Sequence, residues 1–144
     1  MTGRVDEVLA AKDLTIETTH PRETVRAAVE HLNAFKIGAL LVIDGERPLG
    51  IITERDVLTR VIARGLAPET ALVGEVMTRL LVTIEPDTTI ADALTMMAAH
   101  HCRHLPVVHA DRVFGLLSIG DLTDWLVRDQ RRTIEDLHDF ICHA

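Results

Sequence analysis

Apolar residues fall on two different periods along this chain, and the switches between them mark out its elements. Val5, Val8 and Leu9 stand at i, i+3 and i+4 and predict a short amphipathic helix. Residues 14–19 alternate apolar with polar side chains and are rich in β-branched types, the pattern of a strand. Pro21 punctuates the chain, and Thr24 is placed to cap a helix that reaches about Phe35. Val25, Ala28, Val29, Leu32 and Phe35 make its apolar face. Gly38 is expected to end that helix. Residues 40–43 read as a buried strand, Asp44-Gly45 as a tight turn, and 49–53 as the returning strand. A second helix is expected from Thr53 through Val57, Leu58, Val61 and Ile62 to Gly65. The order is β-α-β-β-α.

A shift of 65 residues lays that order over the rest of the chain without a gap. Between 21 and 56, nine of 36 positions match their partners, among them Pro21/Pro86, Gly50/Gly115 and Asp56/Asp121, so the copies share one fold. The second copy is expected as strand 81–84, helix 89–100, strand 105–108, a turn at Ala110-Asp111, strand 113–118 and a helix from Ser118. Two copies are too few for a solenoid. They imply one α+β body with an approximate two-fold axis and a cleft between the copies. Residues 66–80 form the connector, with Pro68 and a short helical signal at 73–77. The last helix continues or restarts past Gln130, because Ile134, Leu137 and Ile141 recur on one face, and that stripe packs back on the body or meets a partner. The expected organisation is a first repeat at 5–65, the connector at 66–80, a second repeat at 81–130 and a short helical tail at 131–144.

Composition narrows the function. At 144 residues, 47% apolar and 26% charged, the chain has the make-up of one globular domain or of two very small ones sharing a core. A net charge of −7 disfavours general binding to nucleic acid or to an anionic membrane. The longest apolar run, 39–43, is far too short to cross a bilayer, and the first residues have no apolar signal-peptide core. Two cysteines make no disulfide framework. The expectation is a cytoplasmic protein with neither a nucleic-acid nor a membrane partner.

The candidate chemistry lies where the third strand of each copy meets its helix. The two junctions read Gly50-Ile-Ile-Thr53-x-x-Asp56 and Gly115-Leu-Leu-Ser118-x-x-Asp121. Taken once, a hydroxyl followed three residues later by an acid is a capping box, and helix starts need capping everywhere. Here it occurs twice at the repeat offset, with glycine each time and Asp where Glu or Gln is commoner. Glycine before the junction lets a ligand approach the backbone, helix N-terminal N–H groups receive anions, and a carboxylate can accept both hydroxyls of a ribose.

The duplication, the element order and the paired Gly-x-x-[Ser/Thr]-x-x-Asp motifs resemble the cystathionine-β-synthase-type (CBS) domain, found in tandem as a Bateman module. The likeness covers residues 5–130, and segments such as Lys36–Ile43 and Arg103–Val108 are similar to that family's second strand. It is also similar to stand-alone bacterial proteins with two such repeats. The resemblance implies two repeats packed through their sheets with pseudo-two-fold symmetry, with adenine nucleotides (AMP, ATP or NADH) in the cleft between them. Asp56 and Asp121 would then hold ribose, with Thr53 and Ser118 beside them. Arg55 in the first copy, and Arg103 and His104 in the second, would be candidates for the phosphates. Because these cations differ between copies, the two sites need not bind equally. The resemblance further implies a non-catalytic regulatory module, a homodimer whose interface is the second helices (Val57, Val61, Leu122, Leu126) together with the C-terminal stripe, and an effector protein as output. The competing class is a structural interaction scaffold in which both acids only cap helices.

Other constellations carry less. His100 and His104 have metal-helix spacing, but a helix end falls between them and no completing carboxylate is evident, so no metal is expected. Cys102 stands opposite Ile37 of the first copy and reads as a small buried residue, while Cys142 lies in the tail. With aromatics at 3% and no Tyr, Trp125 reads as core or interface rather than a base platform. No nucleophile elbow, phosphate loop or zinc-protease helix occurs. No catalysis is expected.

Overall fold

The computed structural model describes residues 3–12, 16–79 and 82–143. In chain order the elements are α1 (Val5–Ala10), β1 (Thr18–Thr19), α2 (Val25–Phe35), β2 (Ala39–Asp44), β3 (Arg47–Thr53) and α3 (Glu54–Asp56). α3 runs on as a π-helical stretch, Val57–Ile62. Then come α4 (Val73–Val76), β4 (Thr78–Arg79), α5 (Ile90–His100), β5 (His104–His109), β6 (Arg112–Ser118) and α6 (Ile119–His143). The chain is a mixed α+β protein with two sheets and a C-terminal helix.

The repeat survives in detail. Thr24 and Thr89 cap α2 and α5 alike, each hydroxyl accepting a backbone N–H at 3.1 Å. Both helices end one residue later on a left-handed residue, Lys36 and His101, each with φ of 53°. The next N–H then returns to the last turn, from Ile37 to Leu32 O and from Cys102 to Met97 O. This stop precedes Gly38, the expected terminator. In β2–β3 and β5–β6 the antiparallel register breaks at matching places, Val42/Ile43 and Val107/Val108. The first hairpin turns on Gly45-Glu46, one residue beyond the expected pair, with Gly45 at φ 62°. The second turns on Ala110-Asp111 as expected, both at positive φ, as a two-residue turn on right-twisted strands requires.

Strand order in the first sheet is β1-β2-β3-β4, β1 being parallel to β2 and the rest antiparallel. In the second sheet β5 pairs with β6, and Ile84 makes a single parallel bridge to Val107 where β1 meets β2 in the first copy. The expected first strands lie in part on residues 13–15 and 80–81, outside the described residues. Ala39, Leu41 and Ile51 meet Val113 and Leu116 between the sheets, so the repeats pack face to face.

The leading helices are exchanged. α1 precedes the first repeat but is buried in the core of the second, where Val5, Val8 and Leu9 pack with Ile90, Leu105, Leu117 and Leu122. α4 precedes the second repeat and completes the first, where Val73 and Val76 pack with Val25, Leu40 and Ile52. Matching hydrogen bonds hold both: Val5 N to Thr88 O and Val73 N to Glu23 O, then Asp6 N to Pro86 O and Gly74 N to Pro21 O. Each core therefore closes only when both halves are present.

One expected interface is corrected. Val61 and Leu122 are fully buried in their own cores and cannot face a second subunit. Exposed apolar side chains on these helices include Leu58 and Ile62 in the first copy and Ile119 and Val127 in the second. α6 runs unbroken for 25 residues, about 37 Å, and its last half leaves the body.

A candidate nucleotide cleft between the repeats

Both junction motifs form capping boxes, but their carboxylates live in different surroundings. At the first, Thr53 N–H and Oγ1 donate to Asp56 Oδ2 at 3.0 and 3.1 Å, and Asp56 N–H donates to Thr53 Oγ1 at 3.2 Å. Thr78 Oγ1, from β4, donates to the other oxygen at 2.9 Å. Arg60 stands 3.9 Å away, its guanidinium also donating to the carbonyls of Val76 and Met77. Only 7% of the Asp56 side chain is exposed. Its two oxygens are taken up by the protein itself.

The cause is β4. It pairs with β3 opposite Gly50 and Ile51, and a Cβ on Gly50 would lie 2.5 Å from Thr78 O. The glycine does admit a close backbone approach, but what approaches is the chain's own strand.

At the second junction Ser118 N–H donates to Asp121 Oδ2 at 2.9 Å, and Asp121 N–H donates to Ser118 Oγ at 3.0 Å. Gly115 is approached by the Leu9 side chain, 2.9 Å from where its Cβ would be, and no described strand covers β6 there. Lys12, just past α1, extends its ammonium to Asp121 Oδ2 at 2.8 Å and to Leu116 O at 3.0 Å. Among the described residues every bond to this carboxylate falls on Oδ2, and 22% of the side chain is exposed. Burial alone would raise the Asp121 carboxyl's pKa, but hydrogen bonds from Lys12 and Ser118 outweigh it and hold the group below its usual range. It is therefore an anion whose second oxygen, Oδ1, has no partner among the described residues.

That oxygen belongs to a residue lining a cavity of about 240 Å³. Ile16, Glu17, Ile37 and Gly38 come to it from the first repeat, and His104, Leu116, Ser118 and Asp121 from the second. Of the residues the sequence singles out, His104, Ser118 and Asp121 come together here. Thr53 and Asp56 sit in the closed box, Arg55 is exposed on α3, and Arg103 is exposed, with its carbonyl accepting from Ile119 N. His104 supplies no cation at neutral pH, because burial lowers its pKa more than Asp121 raises it.

Lys12 is the basic group of the cleft, and sequence reasoning missed it. The available signal is its place at the end of a leading helix, visible only once that helix is assigned to the opposite copy.

The imidazole has a consequence for stability. Below about pH 6.5 the unfolded chain protonates His104 while the folded chain resists, so acidification favours unfolding until the folded group also titrates. Denaturant midpoints at pH 7.5 and 5.5 are expected to differ less for His104→Gln than for wild type. An identical pH response in both would contradict the burial argument.

Among the described residues, no three His, Cys, Asp or Glu side chains gather where they could hold a metal ion. His100 closes α5, and the left-handed His101 turns the chain away before His104. Cys102 is half-buried, and desolvation raises its thiol pKa. Trp125 packs on the second core, its indole N–H without a partner among the described residues. No described helix is long and apolar enough to cross a membrane.

Comparison with known proteins agrees with this architecture. The family model for the CBS domain matches twice, at residues 7–63 and 73–128. YhcV of Bacillus subtilis, a CBS domain-containing protein, is 33% identical over 107 residues, covering 74% of this chain and 76% of that one. The mitochondrial CBS domain-containing protein CBSX3 of Arabidopsis thaliana is 35% identical over 124 residues, or 83% of this chain, which spans 60% of that protein's length. A solved CBS-domain structure from Burkholderia ambifaria superposes with a TM-score of 0.85 at 35% identity, covering 89% of this chain and 96% of that one. Two family matches on the two halves of a gapless duplication, closed by exchanged helices, make this chain a tandem pair of CBS domains.

Proposed function

We propose that the chain is a non-catalytic regulatory module that takes one adenine nucleotide, AMP, ATP or NADH, in the cleft at Asp121. The observation that carries this reading is the contrast between the two acids: Asp56 is consumed by its own protein, whereas Asp121 lines a cavity walled by both repeats and its Oδ1 has no partner among the described residues. A ribose diol donates two hydrogen bonds to such a carboxylate. Ile16, Ile37 and Leu116 offer an apolar wall for the base.

Pockets for drug-sized ligands span about 300–1,000 Å³. A cavity of about 240 Å³ suits a nucleoside, with the phosphate left toward the rim. There Lys12 can exchange Asp121 for the phosphate, an ion-pair swap within reach of one flexible side chain. Occupancy then bridges the repeats and favours one packing over another by its differential affinity. Partner protein and self-association are the two routes by which that bias leaves the module. For the first copy a specific observation favours the plainer reading: with every Asp56 contact internal, that acid caps a helix and binds nothing.

Titration calorimetry tests this. Wild type is expected to bind one AMP per chain, and Lys12→Met to weaken AMP about tenfold while leaving adenosine unchanged, since one charge-assisted contact is worth about 1.5–3 kcal/mol. Absence of heat with AMP, ATP and NADH would leave the scaffold as the surviving class.

A further inference from the structure

The geometry points to α6 as a self-pairing element: the outer halves of two α6 helices, from two copies of this chain, pack antiparallel on one another. Three observations carry this. Val127, Ile134 and Ile141 recur at seven-residue intervals with Leu137 between them, the seam of a two-helix coil. All four are exposed, from 44% at Val127 to 74% at Ile141, although they lie on one continuous helix. A helical stretch this short is marginal in water by itself, and its apolar stripe gains nothing from the body.

Charge selects both occupant and direction. Residues 128–132 carry Arg128, Arg131 and Arg132 against one acid, while 135–139 carry Glu135, Asp136 and Asp139 with no Lys or Arg. A parallel partner would set arginines against arginines and acids against acids. An antiparallel copy, with Ile134 near the two-fold axis, sets each basic half beside an acidic half. The same surface thus complements itself, as an isologous interface requires. The two bodies then lie at opposite ends of the helix pair, so neither obstructs the other. The pairing does not depend on nucleotide occupancy of the Asp121 cleft.

Disulfide trapping tests direction and partner together. In a Cys142→Ser background, Val127→Cys and Ile141→Cys are made as separate full-length proteins and oxidised mildly, alone and mixed. Antiparallel pairing brings residue 127 of one copy to residue 141 of the other, so the mixture crosslinks and neither protein alone does. Self-crosslinking of either variant, or no crosslink in the mixture, overturns the proposal. Sedimentation gives a second reading. Ile134→Glu with Leu137→Glu, both at exposed positions, is expected to halve the mass with helicity of the body retained, and an unchanged mass overturns it.

Discussion

Asp121→Ala is expected to weaken AMP binding at least a hundredfold while lowering folding stability by only about 1 kcal/mol. The first figure rests on two charge-assisted hydrogen bonds from a ribose diol, each worth about 1.5–3 kcal/mol, with each 1.4 kcal/mol equal to a tenfold change in affinity. The second follows from the site. Asp121 caps α6 through Ser118 at a partly exposed position, and its ion pair with Lys12 lies near solvent, where such pairs contribute little. A ligand lacking both ribose hydroxyls supplies the control. It should bind wild type and Asp121→Ala with similar weakness, because variant and analogue remove the same contact from opposite sides. If the analogue binds wild type as tightly as AMP, the diol is not what Asp121 holds.

Asp56→Ala should behave in the opposite way, with stability falling by about 2–4 kcal/mol and nucleotide affinity unchanged. Removing this carboxylate strands the Thr53 N–H and the Thr78 hydroxyl in a region sealed by β4, and an unsatisfied buried polar group costs about 1–3 kcal/mol. It also leaves Arg60 without its counter-charge. Urea denaturation of the two alanine variants, beside calorimetry on both, separates the roles. Equal effects of the two substitutions on both measurements would mean that the repeat's chemical symmetry had survived in its sites.

Such divergence could not be read from the motifs, because their local sequences are almost the same. What could be read was local. Thr24 and Thr89 announce their helices, the hairpins follow from alternating residues around turn types, and the gapless offset places every element of the second copy. Both capping boxes were legible for the same reason: each is complete within four residues. The fate of each acid was not, since it is decided by a segment far away in sequence. Thr78–Arg79 is too short a strand to leave a periodic signal, yet it closes the first site. Lys12 enters the second site only because α1 belongs to the opposite core, a pairing set by tertiary packing. The unbroken α6 has a related explanation. Gln130–Thr133 is polar but contains no helix breaker, so of the two readings, a helix that continues or one that restarts, the chain takes the first.

Among the described residues the two leading segments also meet their junctions differently. α4 spans four residues and yields to β4, whose backbone lies over Gly50. α1 spans six, places the Leu9 side chain at Gly115, and leaves Lys12 as a single flexible cation over the acid. A strand is a permanent cover, held by a ladder of backbone bonds. A lysine at the surface is a replaceable one, able to trade a carboxylate for a phosphate at modest cost.

The most direct test follows the backbone amide resonances of the two junctions while AMP is added to the intact chain. The resonances of Ser118, Asp121 and Lys12 are expected to move and saturate together, and those of Thr53 and Asp56 to stay in place. Movement at Thr53 and Asp56, or stillness at Asp121 under saturating nucleotide, would contradict a single cleft held open by an uncommitted carboxylate.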